Sequence, residues 1–213
     1  MPIRVYDYQH DIENLEVHPE IRARFLRMEP GQAGGLHSHD LGGEIFLVLE
    51  GHCEFLVEDE RVTCGPGQLI YVAPRRMRTL HAVGAAPCVV YLSVAPHVEP
   101  THTFYAGAGA ELPPRYGSWR GQGDAAPSPD AATTEVARRY AGEVRRLAAL
   151  AQAHAETLDL QVEALAEATA AGDARAAKRS MDGMWLGLRA VLRCASTAEL
   201  GWNALAPRVM PVE

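Results

Sequence analysis

Two histidines separated by one residue, His37 and His39, are followed by a glutamate, Glu44, that comes directly after Gly42-Gly43. On an extended strand side chains alternate between faces, so residues 37 and 39 point the same way. The paired glycines let the chain fold back and carry the Glu44 carboxylate beside both imidazoles. Imidazole nitrogens with one carboxylate suit a single divalent transition metal: iron, manganese, nickel, zinc or copper. Such a set leaves coordination positions open to water, dioxygen or substrate. That openness separates a catalytic metal site from a closed structural one.

The wider spacing of Gly31, His37, His39, Glu44 and Gly51 resembles the first motif of the cupin superfamily at every fixed position. The resemblance covers about residues 20–95. It implies a jelly-roll β-barrel with the metal at its centre, held by His37, His39 and Glu44. The family's second motif is less well kept. Gly67 and Pro74 are in place, but Arg76 stands where a glycine is expected and Thr79 where the ligand histidine belongs; His81 follows two residues later. Residues 79 and 81 share a strand face, so the resemblance implies His81 as fourth ligand after a small shift. The alternatives are a three-ligand site and a site that no longer retains metal.

If Glu44 points inward, Phe46 and Val48 do so too, which gives an apolar wall for a small-molecule pocket. Tyr71 and Tyr91 are further candidate liners, although sequence does not fix which way they face. Arg22, Arg24 and the Arg75-Arg76-Met77-Arg78 cluster are candidates for holding a substrate carboxylate. The cluster reads equally as a solvated strand edge. His97 and His102 read as loop histidines, with a second metal site or a lid contact as the alternative. His154 falls on the apolar face of a helical segment, as a packed residue.

The elements that must position these groups change character along the chain. Up to about residue 94 the sequence is a series of strand-length apolar runs: Ile21–Met28, Glu44–Leu49, Cys53–Val57, Gln68–Ala73 and Cys88–Val94. Gly, Pro and acidic turns break them, and Asp59-Glu60 marks a tight hairpin. Many short strands without intervening helices indicate a sandwich or barrel. Residues 107–130 are rich in Gly, Pro and Ala and read as a linker or lid. Beyond them Val136, Tyr140, Val144, Leu147, Ala151, His154, Leu158, Val162 and Leu165 recur at helical steps. Ala171-Gly172-Asp173 stops that helix and caps the next. The second helix carries Met181, Met184, Leu188, Val191 and Cys194 on one side, and Ser196 with Glu199 forms a capping box for a short third helix. The expected class is mainly β with an α extension: a barrel over 1–106, a linker over 107–130 and a helical hairpin over 131–206.

Composition narrows the function classes. The 213 residues carry a net charge of -7, with basic residues in ones and twos. Nothing there would neutralise a row of phosphates or favour an anionic membrane surface, so neither nucleic acid nor membrane is an expected partner. No apolar run is long enough to span a bilayer, and no leader-like segment opens the chain; a cytoplasmic location is expected. Cys53, Cys64, Cys88 and Cys194 show no CxxC spacing and read as reduced structural residues. The functional expectation is a metal-dependent enzyme acting on a small organic molecule, an oxygenase-type oxidoreductase first and a redox-neutral isomerase or lyase second. The competing class is a metabolite- or metal-sensing module that signals through its helices. A homodimer is expected in either case.

Overall fold

The computed structural model describes residues 3–106, 109–117 and 131–209. Its strands are β1 (Asn14–Val17), β2 (Arg22–Met28), β3 (His37–Ser38), β4 (Gly43–Glu50), β5 (His52–Val57), β6 (Glu60–Cys64), β7 (Leu69–Val72), β8 (Arg78–Val83), β9 (Cys88–Ala95) and β10 (Thr103–Phe104). All ladders are antiparallel and form two five-stranded sheets, ordered β1-β2-β9-β4-β7 and β10-β3-β8-β5-β6. Consecutive strands β3, β4 and β5 cross from the second sheet to the first and back. This is a double-sheet jelly roll.

Each strand follows from its alternation. In β4, Glu44, Phe46 and Val48 are buried while the intervening Ile45, Leu47 and Leu49 are less so. In β5, Cys53, Phe55 and Val57 face inward. In β8 the buried residues are Arg78, Leu80 and Ala82. The inward sets of both sheets meet in one core, where the Phe46 and Phe55 rings lie 5.1 Å apart at 54°. The β5–β6 hairpin turns at Glu58-Asp59, because Val57 pairs with Glu60. The turn is therefore one residue earlier than its acidic residues suggest. Glu58 takes the left-handed φ of 54° that a tight hairpin loop requires. Gly51 performs the same service between β4 and β5 at φ 66°, and a Cβ there would stand 2.3 Å from the Pro87 carbonyl oxygen.

The chain divides into two compact units, one running to Pro129 and including the residues from Ala206 on, the other Asp130–Leu205. Of the stretch expected to be a linker or lid, 107–108 and 118–130 lie outside the described residues. Within the remainder, Tyr105 bridges to Glu111, and the Gly117 N–H donates to Glu99 at 2.8 Å.

The second unit is a hairpin of α1 (Thr133–Ala170) and α2 (Ala174–Leu205). The Asp173 carboxylate accepts the N–H groups of Arg175 and Ala176 at 3.0 and 2.9 Å, the N-cap read from the sequence. The expected break at Ser196 does not occur, and α2 runs through it. Without a Gly or Pro stop, the Ser-x-x-Glu pattern is compatible with helix interior. The neighbouring Thr197 hydroxyl donates back to the Arg193 carbonyl at 3.1 Å instead of capping. Tyr140 and Trp202 close the open end of the hairpin with ring centroids 5.6 Å apart. No helix among the described residues is long and apolar enough to cross a membrane.

Candidate functional site

His37 lies on β3 of the second sheet with His39 directly after that strand, and Glu44 lies on β4 of the first, so the motif straddles the space between the sheets. The crossing is made by Gly42-Gly43. A Cβ on Gly42 would lie 2.5 Å from Val94 Cγ2 and 2.6 Å from the Pro96 carbonyl oxygen, so the crossing runs too close to β9 for any side chain there. His37, His39 and Glu44 are all buried.

The third imidazole in this space is His102, from the segment that returns after β9 to pair β10 against β3. Ligand nitrogens of His37, His39 and His102 all lie within 4.8 Å of one another. Their ring centroids are 4.9 to 5.5 Å apart. Two of the three rings are oriented from behind by backbone. His37 Nδ1 donates to the Gly35 carbonyl at 2.9 Å, and His39 Nδ1 donates to the Thr101 carbonyl. A carbonyl can only accept, so each Nδ1 carries a proton and Nε2 is the ring nitrogen turned away from the backbone. Metal-binding histidines are held in this way. His39 Nε2 stands 3.1 Å from Glu44 Oε2. Three imidazoles clustered this closely fit one divalent transition ion.

Glu44 is otherwise engaged. Arg78 Nε donates to its Oε2 at 2.7 Å, and Arg78 Nη2 is 2.6 Å from the same oxygen. Both side chains are buried. Arg78 occupies the inward position of β8, paired in register with His37. The alternation that turns Arg78, Leu80 and Ala82 inward turns Thr79 and His81 to the opposite face. Thr79 donates there to the Gly34 carbonyl at 2.7 Å, and His81 bridges to Ala33. The structure thus brings His37, His39 and Glu44 together and does not bring His81 to them. Residues 79 and 81 do share a face, but it is the outer one.

Burial dominates the electrostatics. It holds the His37 imidazole down at about 4, against the pull of Glu44 and the Gly35 hydrogen bond. It also lowers His102 well below the ordinary range, helped by His39 and His37. Burial alone would raise the Glu44 carboxyl, but His39, Arg78 and His37 outweigh it and hold Glu44 well below its ordinary value. The site thus sets a carboxylate paired with an arginine beside buried imidazoles, of which His37 and His102 are held neutral by their burial.

Residues 24–94 match the cupin domain family. The barrel is a cupin domain. Among curated proteins no relative matches the chain. Similar solved structures include the cupin domain of Cnp3 from Schizosaccharomyces pombe, 15% identical over 39% of this chain and 61% of that one, with a TM-score of 0.38. This chain thus covers less than two thirds of that structure's length. An uncharacterised double-stranded β-helix protein from Klebsiella pneumoniae is 17% identical over 44% of this chain and 84% of that one, TM-score 0.41. KdgF from a Halomonas species is 21% identical over 45% of this chain and 94% of that one, TM-score 0.38.

A cavity of about 460 Å³ borders the cupin site at His39. Its walls come from the β3–β4 crossing (Asp40, Leu41), from Arg75 and from the loop carrying Val98, Glu99 and Thr101. None of the four residues expected to line a pocket borders it. Phe46 and Val48 do point inward, but with Phe55 they fill the barrel as core. Tyr71 is 59% exposed on the outer side of β7, and Tyr91 packs edge-on against Phe25 with centroids 6.0 Å apart. The arginine cluster divides by alternation. Arg78 is the interior partner of Glu44, Arg76 pairs outside with Glu58 at 2.8 Å, and Arg75 joins the cavity wall at a left-handed φ of 64°. On β2, Arg22 and Arg24 share the inward face with Leu26 and Met28. Of the residues that sequence reasoning undervalued, Arg78 was legible from the Arg78-x-Leu80-x-Ala82 alternation. His102 was not, because only the return of β10 onto β3 brings it near His37.

Proposed function

We propose that this cupin barrel holds one divalent transition metal through His37, His39 and His102 and works on a small organic molecule in the cavity beside His39, as an oxygenase-type oxidoreductase. The observation that carries the reading is the pair of backbone-anchored imidazoles, His37 and His39, that cluster with His102. A redox-active ion bound there would supply the one-electron chemistry that lets dioxygen react with an organic substrate. The chain's own residues do the rest. The Gly35 and Thr101 carbonyls fix the tautomers, and Arg78 cancels the Glu44 charge so that the ion's positive charge stays available to substrate oxygen atoms. Arg75 offers the cavity a fork for a carboxylate. Thr101 links the two parts, since its carbonyl orients His39 while the residue lines the cavity.

Elemental analysis of protein purified without chelator or nickel affinity tests the metal. About one equivalent is expected, lost in His37→Ala and in His102→Ala and retained in His81→Ala. Failure to bind iron, manganese, nickel, copper or zinc after reconstitution would end the metal reading. Loss of metal in His81→Ala but not in His102→Ala would overturn the ligand set. Dioxygen uptake with small organic acids then separates the enzyme from a sensing module, the second reading, which the long helical hairpin favours. A sensor shows saturable binding of the acid without turnover.

A further inference from the structure

We propose that the helical hairpin is a dimerisation unit, two copies of which pair face to face as a four-helix bundle with the twofold axis parallel to the helices. The two helices bury one stripe each against the other. Gly187 lies against His154, Gly183 against Gln161 and Gly201 against Tyr140, while Cys194 and Ala198 are buried. Each helix carries a second apolar stripe that is not used in this contact.

On α1 it is Ala141, Val144, Ala148, Ala151 and Ala155, at steps of three and four, with Val162 seven residues further on past Asp159; all but Ala141 are exposed. On α2 it is Met181, Trp185, Leu188 and Leu192, 52%, 53%, 45% and 53% exposed. At roughly 100° per residue, the α1 stripe lies roughly 100° around from its α2-facing side, and the α2 stripe roughly 130° around from its α1-facing side. Both are displaced in the same rotational sense. Because the helices run antiparallel, that brings both stripes to one side of the hairpin. Two apolar stripes per helix are what a bundle helix needs, one for each neighbour.

A second copy is the occupant that size and charge favour. From Ala141 to Val162 the face is about 32 Å long at 1.5 Å per residue, and two helices are about 20 Å wide, so it offers on the order of 600 Å². Specific stable interfaces begin at roughly 1,200 Å² in total, about 600 Å² from each partner. The packing pairs also fix the levels: 154 lies beside 187, 161 beside 183 and 140 beside 201. A twofold axis parallel to the helices keeps these levels and sets α1 of one copy over α2 of the other. Glu163 then comes level with Lys178, whose ammonium also donates to Asp182 within α2, and the twofold repeats this opposite-charge pair at both edges. The small side chains of α1 leave room for the large ones of α2, so the face is complementary to itself.

The test is the mass of the full chain in solution, by light scattering and sedimentation over 1–100 μM, a range of order set by ordinary dimer affinities. A dimer is expected, with Leu192→Glu or Val144→Glu raising its dissociation constant at least a hundredfold while helical circular dichroism is retained. Should an apolar-to-Glu variant lose helicity, the exposed charges decide: Glu163→Lys weakens the dimer about threefold to tenfold, and adding Lys178→Glu restores it. A wild-type monomer at 100 μM overturns the proposal. So does a dimer that persists with unchanged affinity in folded Leu192→Glu and Glu163→Lys variants, which would assign the contact to another surface.

Discussion

Replacing Arg78 by Met tests the central electrostatic claim. Met fills much of the arginine volume but leaves Glu44 Oε2 without the two nitrogens now 2.7 and 2.6 Å away, inside a site where both residues are buried. Breaking a buried pair by removing one partner costs about 3–5 kcal/mol, because an uncompensated charge stays behind. For a barrel of this size that corresponds to roughly 10–20 °C in Tm. Differential scanning calorimetry of the metal-free protein at pH 7 reads it directly. The pH dependence has a definite sign. Glu44 is held below its ordinary value of 4.5, so its paired charge contributes stability above that value and loses it as pH falls toward the folded value. The gap between wild type and Arg78→Met therefore narrows on acidification, since a protonated Glu44 no longer needs its partner. Arg78→Met combined with Glu44→Leu recovers most of the loss, because an apolar pair of similar volume replaces an ion pair at little cost. A gap under about 1 kcal/mol at pH 7, or one that widens in acid, would refute the reasoning.

Three further outcomes follow from the geometry. Burial, with Arg22 and His39 adding to it, depresses His97 from 6.5 to about 3. The unfolded chain takes up this proton first, so stability falls as pH drops through that window; urea titrations of His97→Gln should lose up to about 1.4 kcal/mol per pH unit of the wild-type slope, and an unchanged slope counts against a buried neutral His97. Gly51→Ala forces a Cβ to 2.3 Å from the Pro87 carbonyl oxygen at φ 66°, and should cost about 2 kcal/mol or more in denaturant midpoint analysis; a neutral effect would show that the turn relaxes. Val98→Trp, placed in the wall of the 460 Å³ cavity, should abolish binding of a small organic acid by calorimetry while metal content stays unchanged; retained binding would place the substrate elsewhere.

Much of this protein is written in local pattern. Alternation is a property of neighbouring residues, so the β2, β4, β5, β7 and β9 runs and the inward turn of Glu44, Phe46 and Val48 could be read directly. So could the Gly172-Asp173 break between two helices and the pairing of His37 with His39. The same pattern left open which face of a strand is the inner one. Thr79 and His81 do share a face, but Leu80 and Ala82 belong to the core and take Arg78 inward with them, which sends His81 out. Ser196 misled for a related reason: a capping signature is two residue types at a spacing, and without a chain break the helix passes through it.

What the sequence alone determined is the scaffold and two of the imidazoles, because periodicity and motif spacing are short-range quantities. What only tertiary structure decided is the company those imidazoles keep. His102 lies far along the chain and reaches His37 because β10 returns to pair with β3; Arg78 meets Glu44 because β8 and β4 face each other from different sheets. A carboxylate that reads as a metal ligand is the buried partner of an arginine, and a loop histidine joins the two imidazoles of the motif. Long-range pairing sets both outcomes, and a charge buried between sheets must find its counter-charge wherever the fold has put one.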